Sequence, residues 1–464
     1  MISNSKLVQY KQQRIQSVAK NNDSYSFFNL LTGPDMLSKV EELLPDTHRE
    51  RQFPPTETLS MFLAQAMNED RSCQKAINDA AIKRVVSGLS PCSTGTGGYC
   101  QARQRLPLEM VSTLVRYTGE LMNSKIPEQW RWHGKRVHLI DGTTVTLPDT
   151  AANQAIYPQQ SVQKPGLGYP ISRIVGIICL SSGALLNASL SPFSGKGSGE
   201  QSLLRSMLNT FSAGDLVLGD ALFGDYFLFA SLLEKGVDAV FEQLGTRKRV
   251  TDFRKGKRLG SKDHLIHLTK PKRKPDWMSQ EDYDSAPNSI TLRELKIKGK
   301  ILITTLLSAK VFPKQELDAL YKKRWHVEVD LRNIKTTLGM ETLSCKTPDM
   351  IEKEMWVYLL AYNLIRLLMA QSALLENILP RQLSFKHTVQ LWLAWSQQTQ
   401  AINTHMDEGM LFVLIAQKTV GNRPGRIEPR AVKRRPKPFP LLMETREQAR
   451  ERVRTHGHPK KLKA

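Results

Sequence analysis

Cysteine is scarce and badly spaced for metal. The five present (Cys73, Cys92, Cys100, Cys179 and Cys345) form no zinc-ligand pattern, and Cys92 and Cys100 stand too far apart for a knuckle. An odd, scattered set also gives no disulfide framework and suits a reducing interior. No glycine loop has Walker spacing, so nucleotide hydrolysis has no support. Clean apolar runs are missing too. The richest window, residues 355–375, is broken by Asn363, Arg366 and Gln371, whereas a membrane span needs about 20 apolar residues. It reads as a buried core helix, and no membrane partner is expected. Residues 1–22 are polar and lack the pattern of a secretory signal. Acidic residues are in deficit, 44 against 66 Lys and Arg, which leaves a formal net charge of +22. A surplus of that size favours a polyanionic partner, most simply nucleic acid.

The 464 residues suffice for two or three domains. Residues 1–125 read as short helices joined by polar turns. Pro54-Pro55-Thr56 precedes an apolar-periodic run over 57–67, with Thr56 as its N-cap. Asp70 or Ser72 caps the next helix, which ends near Gly88. After a Ser/Gly/Thr loop, Cys100-Gln-Ala-Arg103-Gln-Arg105 opens another helical pattern. This region fits either a DNA-reading helical domain or a plain cap on its neighbour.

From Lys135 the texture changes. Residues 137–140 read as a strand that enters a tight turn at Asp141-Gly142, with a second strand over 143–147. Further strands at 172–180, 184–190, 216–219 and 237–241, with helices at 200–211 and 223–235, describe a mixed α/β sheet. Asp141 and Asp220 stand at strand ends, each beside a glycine, where ligand chemistry gathers in open α/β sheets. Asp149, Asp215 and Asp225 look like caps or turn formers.

Residues 245–303 break the α/β rhythm. Basic blocks at 247–249, 254–258 and 270–275 alternate with strands at 264–268 and 291–296, and residues 301–307 rejoin the main sheet. Arg254, Lys255 and Trp277 are the candidates here for a DNA clamp with a stacking platform. A basic surface loop with Trp277 as local packing is the plainer alternative. Helices cover 351–375 and 384–400. From Lys418 the chain is rich in Pro, Arg and Lys and reads as a disordered or folding-on-contact basic arm.

One stretch organises the rest. On a helical wheel Tyr321, Arg324, Glu328 and Lys335 share an arc of about 60°. Leu320, Val327, Leu331, Ile334 and Leu338 make the neighbouring apolar stripe, and Asp330 faces away. A carboxylate is thereby flanked by a phenol, a guanidinium and an ammonium, all suited to phosphate. With Asp141 and Asp220, Glu328 completes three carboxylates and no His or Cys, a set for hard divalent cations, Mg²⁺ or Mn²⁺. Two such ions about 4 Å apart act on a phosphodiester from both sides.

The signature Tyr-x2-Arg-x3-Glu-x6-Lys resembles the Y-R-E-K block of bacterial insertion-sequence DDE transposases of the family-4 type, a group with hairpin-forming cut-and-paste members. Tyr321, Arg324, Glu328 and Lys335 match it in full. The resemblance extends back through Ile303-Thr-Thr-Leu-Leu307, Leu218-Gly-Asp220-Ala and Leu139-Ile-Asp141-Gly-Thr143, and forward to Leu360-Ala-Tyr-Asn-Leu-Ile-Arg366. It implies an α/β fold: an RNase H-like mixed-sheet catalytic core over 126–375 with a β-rich insertion (245–303). A helical N-terminal DNA-binding domain (1–125) and a helical, basic C-terminal region (376–464) flank that core. It implies that Asp141, Asp220 and Glu328 are the catalytic, metal-binding triad, with Tyr321, Arg324 and Lys335 on DNA and two Mg²⁺ or Mn²⁺ ions. The separation of 108 positions from Asp220 to Glu328 is long for that fold, and the insertion accounts for it. Trp277 is then the candidate to stack on a displaced base.

The implied activity is metal-dependent cleavage and strand transfer at terminal inverted repeats, through a hairpin intermediate. Double-stranded DNA, both repeats and target, is the partner; the enzyme is a homodimer in a synaptic complex, cytoplasmic and nucleoid-associated. Two other classes compete: a transposase-derived DNA-binding regulator without strand transfer, and a nuclease that only hydrolyses. Retention of all three carboxylates favours the active enzyme.

Overall fold

The computed structural model describes residues 42–43, 53–86, 88, 90, 92–243, 251–402, 408–421 and 442–457. The basic blocks at 247–249 and 433–438, and most of residues 1–52, lie outside the described residues.

Four helices open the described chain: α1 (Pro55–Met67), α2 (Cys73–Val86), α3 (Gly97–Arg105) and α4 (Leu108–Ser124). Pro54, not Thr56, occupies the N-cap of α1. Pro55 suits the first helical position because its missing N–H would have no partner there. That draws Thr56 into the first turn, where it is buried. Ser72 caps α2 as expected, its hydroxyl accepting from Lys75 N at 3.1 Å. Leu59, Phe62 and Leu63 of α1 and Met110, Val111 and Leu114 of α4 belong to the same core as the central sheet. Two members of the helical region therefore roof the sheet, while α2 and α3 carry only small apolar clusters of their own.

The sheet has nine strands: β1 (Val137–Thr146), β2 (Ile171–Cys179), β3 (Leu185–Pro192), β4 (Leu216–Gly219), β5 (Asp238–Glu242), β6 (Lys257–Gly260), β7 (Asp263–Thr269), β8 (Ser289–Ile297) and β9 (Lys300–Thr304). Their order is β3-β2-β1-β4-β5-β9-β8-β7-β6. β1, β2 and β3 pair antiparallel, whereas β1, β4 and β5 run parallel. An antiparallel meander continued by two parallel strands is the mixed sheet expected of an RNase H-like core. Each parallel step needs a crossover. α5 (Ala151–Ile156) lies between β1 and β2, α6 (Glu200–Arg205) leads from β3 to β4, and α7 (Tyr226–Glu234) joins β4 to β5. Asp225 caps α7, accepting from Phe227 N at 2.9 Å and Leu228 N at 3.2 Å, the role its position suggested.

One expectation fails here. Asp141-Gly142 is not a turn between two strands: β1 runs straight through, with Asp141 opposite Gly176 and Gly142 opposite Val175. The β-branched residues on both sides find a full-length antiparallel partner in β2, and that ladder outweighs the local turn preference of Asp-Gly.

Residue alternation sorts the two cores. Val137, Leu139 and Val145 of β1 and Leu216 and Leu218 of β4 face one side. Ile140 and Val217 face the other, against Leu203 and Leu204 of α6 and Phe227 to Phe229 of α7. The first side is covered by α9 (Lys314–Lys322), α10 (His326–Arg332) and the long α11 (Pro348–Leu375), backed by α12 (Phe385–Ile402) and α13 (Glu408–Ala416). Among the described residues α11 alone is long and apolar enough to cross a membrane, but 89% of that window is buried in the protein. Its polar interruptions are used inside. The Asn363 amide donates to Val115 O at 3.0 Å and Leu185 O at 2.8 Å, and its oxygen accepts from Leu185 N at 2.9 Å.

The insertion extends the sheet. β7 and β8 pair throughout, β8 pairs with β9, and β9 lies antiparallel to β5. A short helix α8 (Gln280–Ser285) sits on its outer part, and α14 (Arg446–His456) closes the described chain.

Candidate active site

β1 and β4 stay in parallel register from Val137↔Leu216 to Leu139↔Leu218. β4 then stops at Gly219 while β1 continues against β2 alone. Two residues further along that register come Asp141 and Asp220, side by side where the parallel pair opens. By alternation both follow Leu139 and Leu218 toward the face that α10 covers. Asp220 accepts from Leu222 N at 2.8 Å, and Asp141 accepts from Gly142 N at 2.8 Å.

The Tyr321–Lys335 stretch supplies the third wall, though not as one regular helix. α9 ends at Lys322, a 3₁₀ turn spans Lys323–Trp325, α10 follows, and a π-helical turn covers Asn333–Thr337. The apolar stripe holds as read: Leu320, Val327, Leu331, Ile334 and Leu338 are all buried. Arg324 bridges two carboxylates, one guanidinium nitrogen 3.7 Å from Asp141 Oδ2 and another 3.3 Å from Glu328 Oε1. The strand-borne Asp141 and the helix-borne Glu328 thus face one another across a single cation.

The electrostatics are those of a crowded anionic pocket. Burial pushes the Asp141 carboxyl up to about 6; Asp220 and Glu200 add to the rise, while the Gly142 N–H and Arg324 oppose it. Burial likewise raises Glu200, again with help from Asp220. Three oxygen-donor carboxylates, one of them strained by burial, fit a hard divalent cation. As placed, no group of three or more His, Cys, Asp or Glu among the described residues closes on a common point, and the Arg324 side chain is what stands between Asp141 and Glu328.

The other expected residues separate. Tyr321 was expected to face phosphate; it is instead buried, and its hydroxyl donates to Gly219 O at 3.1 Å. Its apolar neighbours Leu317 and Leu320 draw the ring inward, which makes it a prop for the strand that carries Asp220. Lys335 is half-buried in the π-helical turn, where its carbonyl accepts from Glu341 N at 3.1 Å. Trp277 has the Arg205 guanidinium 3.6 Å from its ring centre and Phe227 edge-on at 6.2 Å. It is 46% exposed, so packing covers only part of the ring. Arg254 is exposed and paired with Asp252 at 2.9 Å, and Lys255 is exposed beside it.

Three residues escaped the sequence reading. Trp325, next to Arg324, is 59% exposed. Asp330, read only as facing away, is fully buried between two arginines. It accepts from Arg366, and from Arg381 at 2.7 and 3.1 Å. Arg366 in an otherwise apolar helix was the available clue, since a buried guanidinium demands a counter-charge. Glu200 lies against Gly142; no spacing rule connects them.

The Transposase DDE domain family matches residues 132–364, half of the chain, across all three carboxylates. The chain belongs to the DDE transposases. It is 28% identical over 432 residues to transposase InsG of insertion sequence element IS4 from Escherichia coli K12, covering 88% of this transposase and 91% of InsG. A shorter match to InsZ of the same strain is 32% identical over 169 residues, 34% of this chain and 56% of InsZ. The piggyBac transposase, solved by cryo-EM as a synaptic complex with hairpin DNA, aligns over 87% of both chains at 11% identity and a TM-score of 0.42. The transposase is accordingly an insertion-sequence enzyme that cleaves and transposes DNA, and its family generally uses divalent metal ions.

Proposed function

We propose that Asp141, Asp220 and Glu328 are the catalytic triad and hold two Mg²⁺ or Mn²⁺ ions while the enzyme cuts and joins the ends of an insertion sequence. The observation that carries this reading is the shared guanidinium of Arg324, which brings Glu328 to Asp141 where the register sets Asp220 alongside. When bound, a pair of divalent ions supplies Lewis acidity to both sides of the scissile phosphate. The protein's part is geometry. The middle of β1 holds Asp141, the end of β4 holds Asp220, and Tyr321 ties that strand end to the helix. Arg324 leaves its carboxylates and pairs with phosphate oxygens as the site loads, and Lys335 adds a point charge.

Repeat recognition falls to the helical N-terminal region and to the basic insertion, including Arg254 and Lys255. The net charge of +22 supports duplex DNA as the partner. The hairpin step and synaptic homodimer rest on the resemblance of the Y-R-E-K block to cut-and-paste relatives. Trp277 is assigned the displaced base.

The test is nicking of an oligonucleotide duplex that carries the inverted repeats flanking the coding region. Asp141→Asn, Asp220→Asn and Glu328→Gln should each abolish divalent-dependent nicking and keep end binding. Cleavage retained in any one removes that residue from the triad.

A further inference from the structure

The face of the sheet opposite α10 carries a second charged arrangement, and it touches both aspartate-bearing strands. α6 begins at Glu200 after an extended Gly199. The Glu200 carboxyl sits directly under β1 at Gly142: a Cβ built there would lie 2.4 Å from Glu200 Cδ and 2.5 Å from its Oε1. Gly142 does not have the left-handed backbone that calls for glycine, so close approach is what its missing side chain provides. The next residue, Gln201, donates its amide to the carbonyl of Leu222. Leu222 is the residue whose N–H binds the Asp220 carboxylate. One helix start thus grips the backbone beside Asp141 and the backbone beside Asp220.

Arg173 holds the glutamate there. Its guanidinium lies 4.0 Å from Glu200 Oε1, donates to Ser198 O at 2.7 Å and stacks 4.7 Å over the Phe193 ring. Leu203 and Leu204, buried below, anchor α6 to the core. Glu200 keeps 23% of its side chain exposed. A 4.0 Å pair so near the surface contributes little stability by itself, so its position calls for another reason.

We infer that Glu200 is a positioning residue for the divalent-ion site: clamped under Gly142, it fixes the spacing of Asp141 and Asp220 and adds negative potential beneath them without being a ligand. This rests on the reading of those aspartates as ion ligands.

The experiment is calorimetric titration of the full-length, metal-free protein with Mn²⁺, in the absence of DNA. Glu200→Gln keeps the shape and removes the charge. It should weaken Mn²⁺ binding roughly three- to tenfold, the size for one charge outside ligand distance, with the urea midpoint and end binding in EDTA unchanged. Glu200→Asp should recover most of the loss. Gly142→Ala keeps the charge but expels the carboxyl, and should match Glu200→Gln; it also serves should Glu200→Gln fold poorly. Wild-type affinity in Glu200→Gln, alongside weakened binding in Asp141→Asn, would reduce Glu200 to an ordinary ion pair and overturn the inference. Unchanged affinity in Asp141→Asn and Asp220→Asn would instead sink the ion-site reading itself, and this inference with it.

Discussion

The Tyr321 hydroxyl donates to the Gly219 carbonyl at 3.1 Å, joining the helical segment that leads to Glu328 to the strand end that leads to Asp220. Tyr321→Phe removes only that bond. It should lower stability by about 1 kcal/mol in urea titration and slow cleavage at saturating DNA while end affinity stays the same. A phosphate-contacting tyrosine would give the reverse, a raised Kd with little change in stability.

Burial lifts Asp141 from an ordinary value of 3.8 to about 6. Between those values the folded chain keeps a proton that the unfolded chain has lost, so stability falls as pH rises through this window. Above it, the folded state carries a carboxylate its surroundings disfavour. Asp141→Asn in EDTA should therefore be more stable than wild type at pH 7.5, by up to ~3 kcal/mol, and nearly equal to it at pH 4. Thermal melts at the two pH values check this. A less stable Asp141→Asn at pH 7.5 would mean that Arg324 outweighs burial.

Asp330 is buried with Arg366, and Arg381 also reaches it. Asp330→Ala leaves the Arg366 guanidinium inside the core without its counter-charge. The expected loss is about 3–5 kcal/mol, read from the urea midpoint. Arg366→Met combined with Asp330→Leu should recover most of it. A loss under roughly 1 kcal/mol in the single variant would mean that water replaces the pair.

Trp277 shares its ring between Arg205 and solvent. Trp277→Ala should impair hairpin formation by at least tenfold and first-strand nicking much less, measured on one end-bearing duplex. Equal loss of both steps would show that the contact with Arg205 and Phe227 merely packs the insertion on α7.

Much of the frame was legible because it depends on local pattern. β-branched runs marked β1, β2 and β8, and the apolar stripe marked the buried side of α9 and α10. Arg324 and Glu328 met as the wheel required, since four residues span one turn whether the winding is slightly tight or regular. Lys335 lies across a π-helical turn, and a step of about 100° per residue no longer locates it. Asp141-Gly142 misled for a different reason. Asp-Gly is a strong hairpin signal, yet here the glycine makes room for a carboxylate from a helix 58 residues further on. Asp330 does face away from the polar stripe, as its place on the wheel requires, but toward two arginines whose positions only the tertiary fold reveals.

The insertion departs from β5 and comes home on β9, and those two strands are hydrogen-bonded neighbours. Entry and exit share one seam in the sheet, so the arm can be trimmed or lengthened beyond that seam while Glu328 stays put. Under the proposed roles, reach along the duplex and placement of the chemistry are separately adjustable, and grafting arms between kindred enzymes at the β5–β9 border should exchange DNA grip without dismantling the cutting machinery.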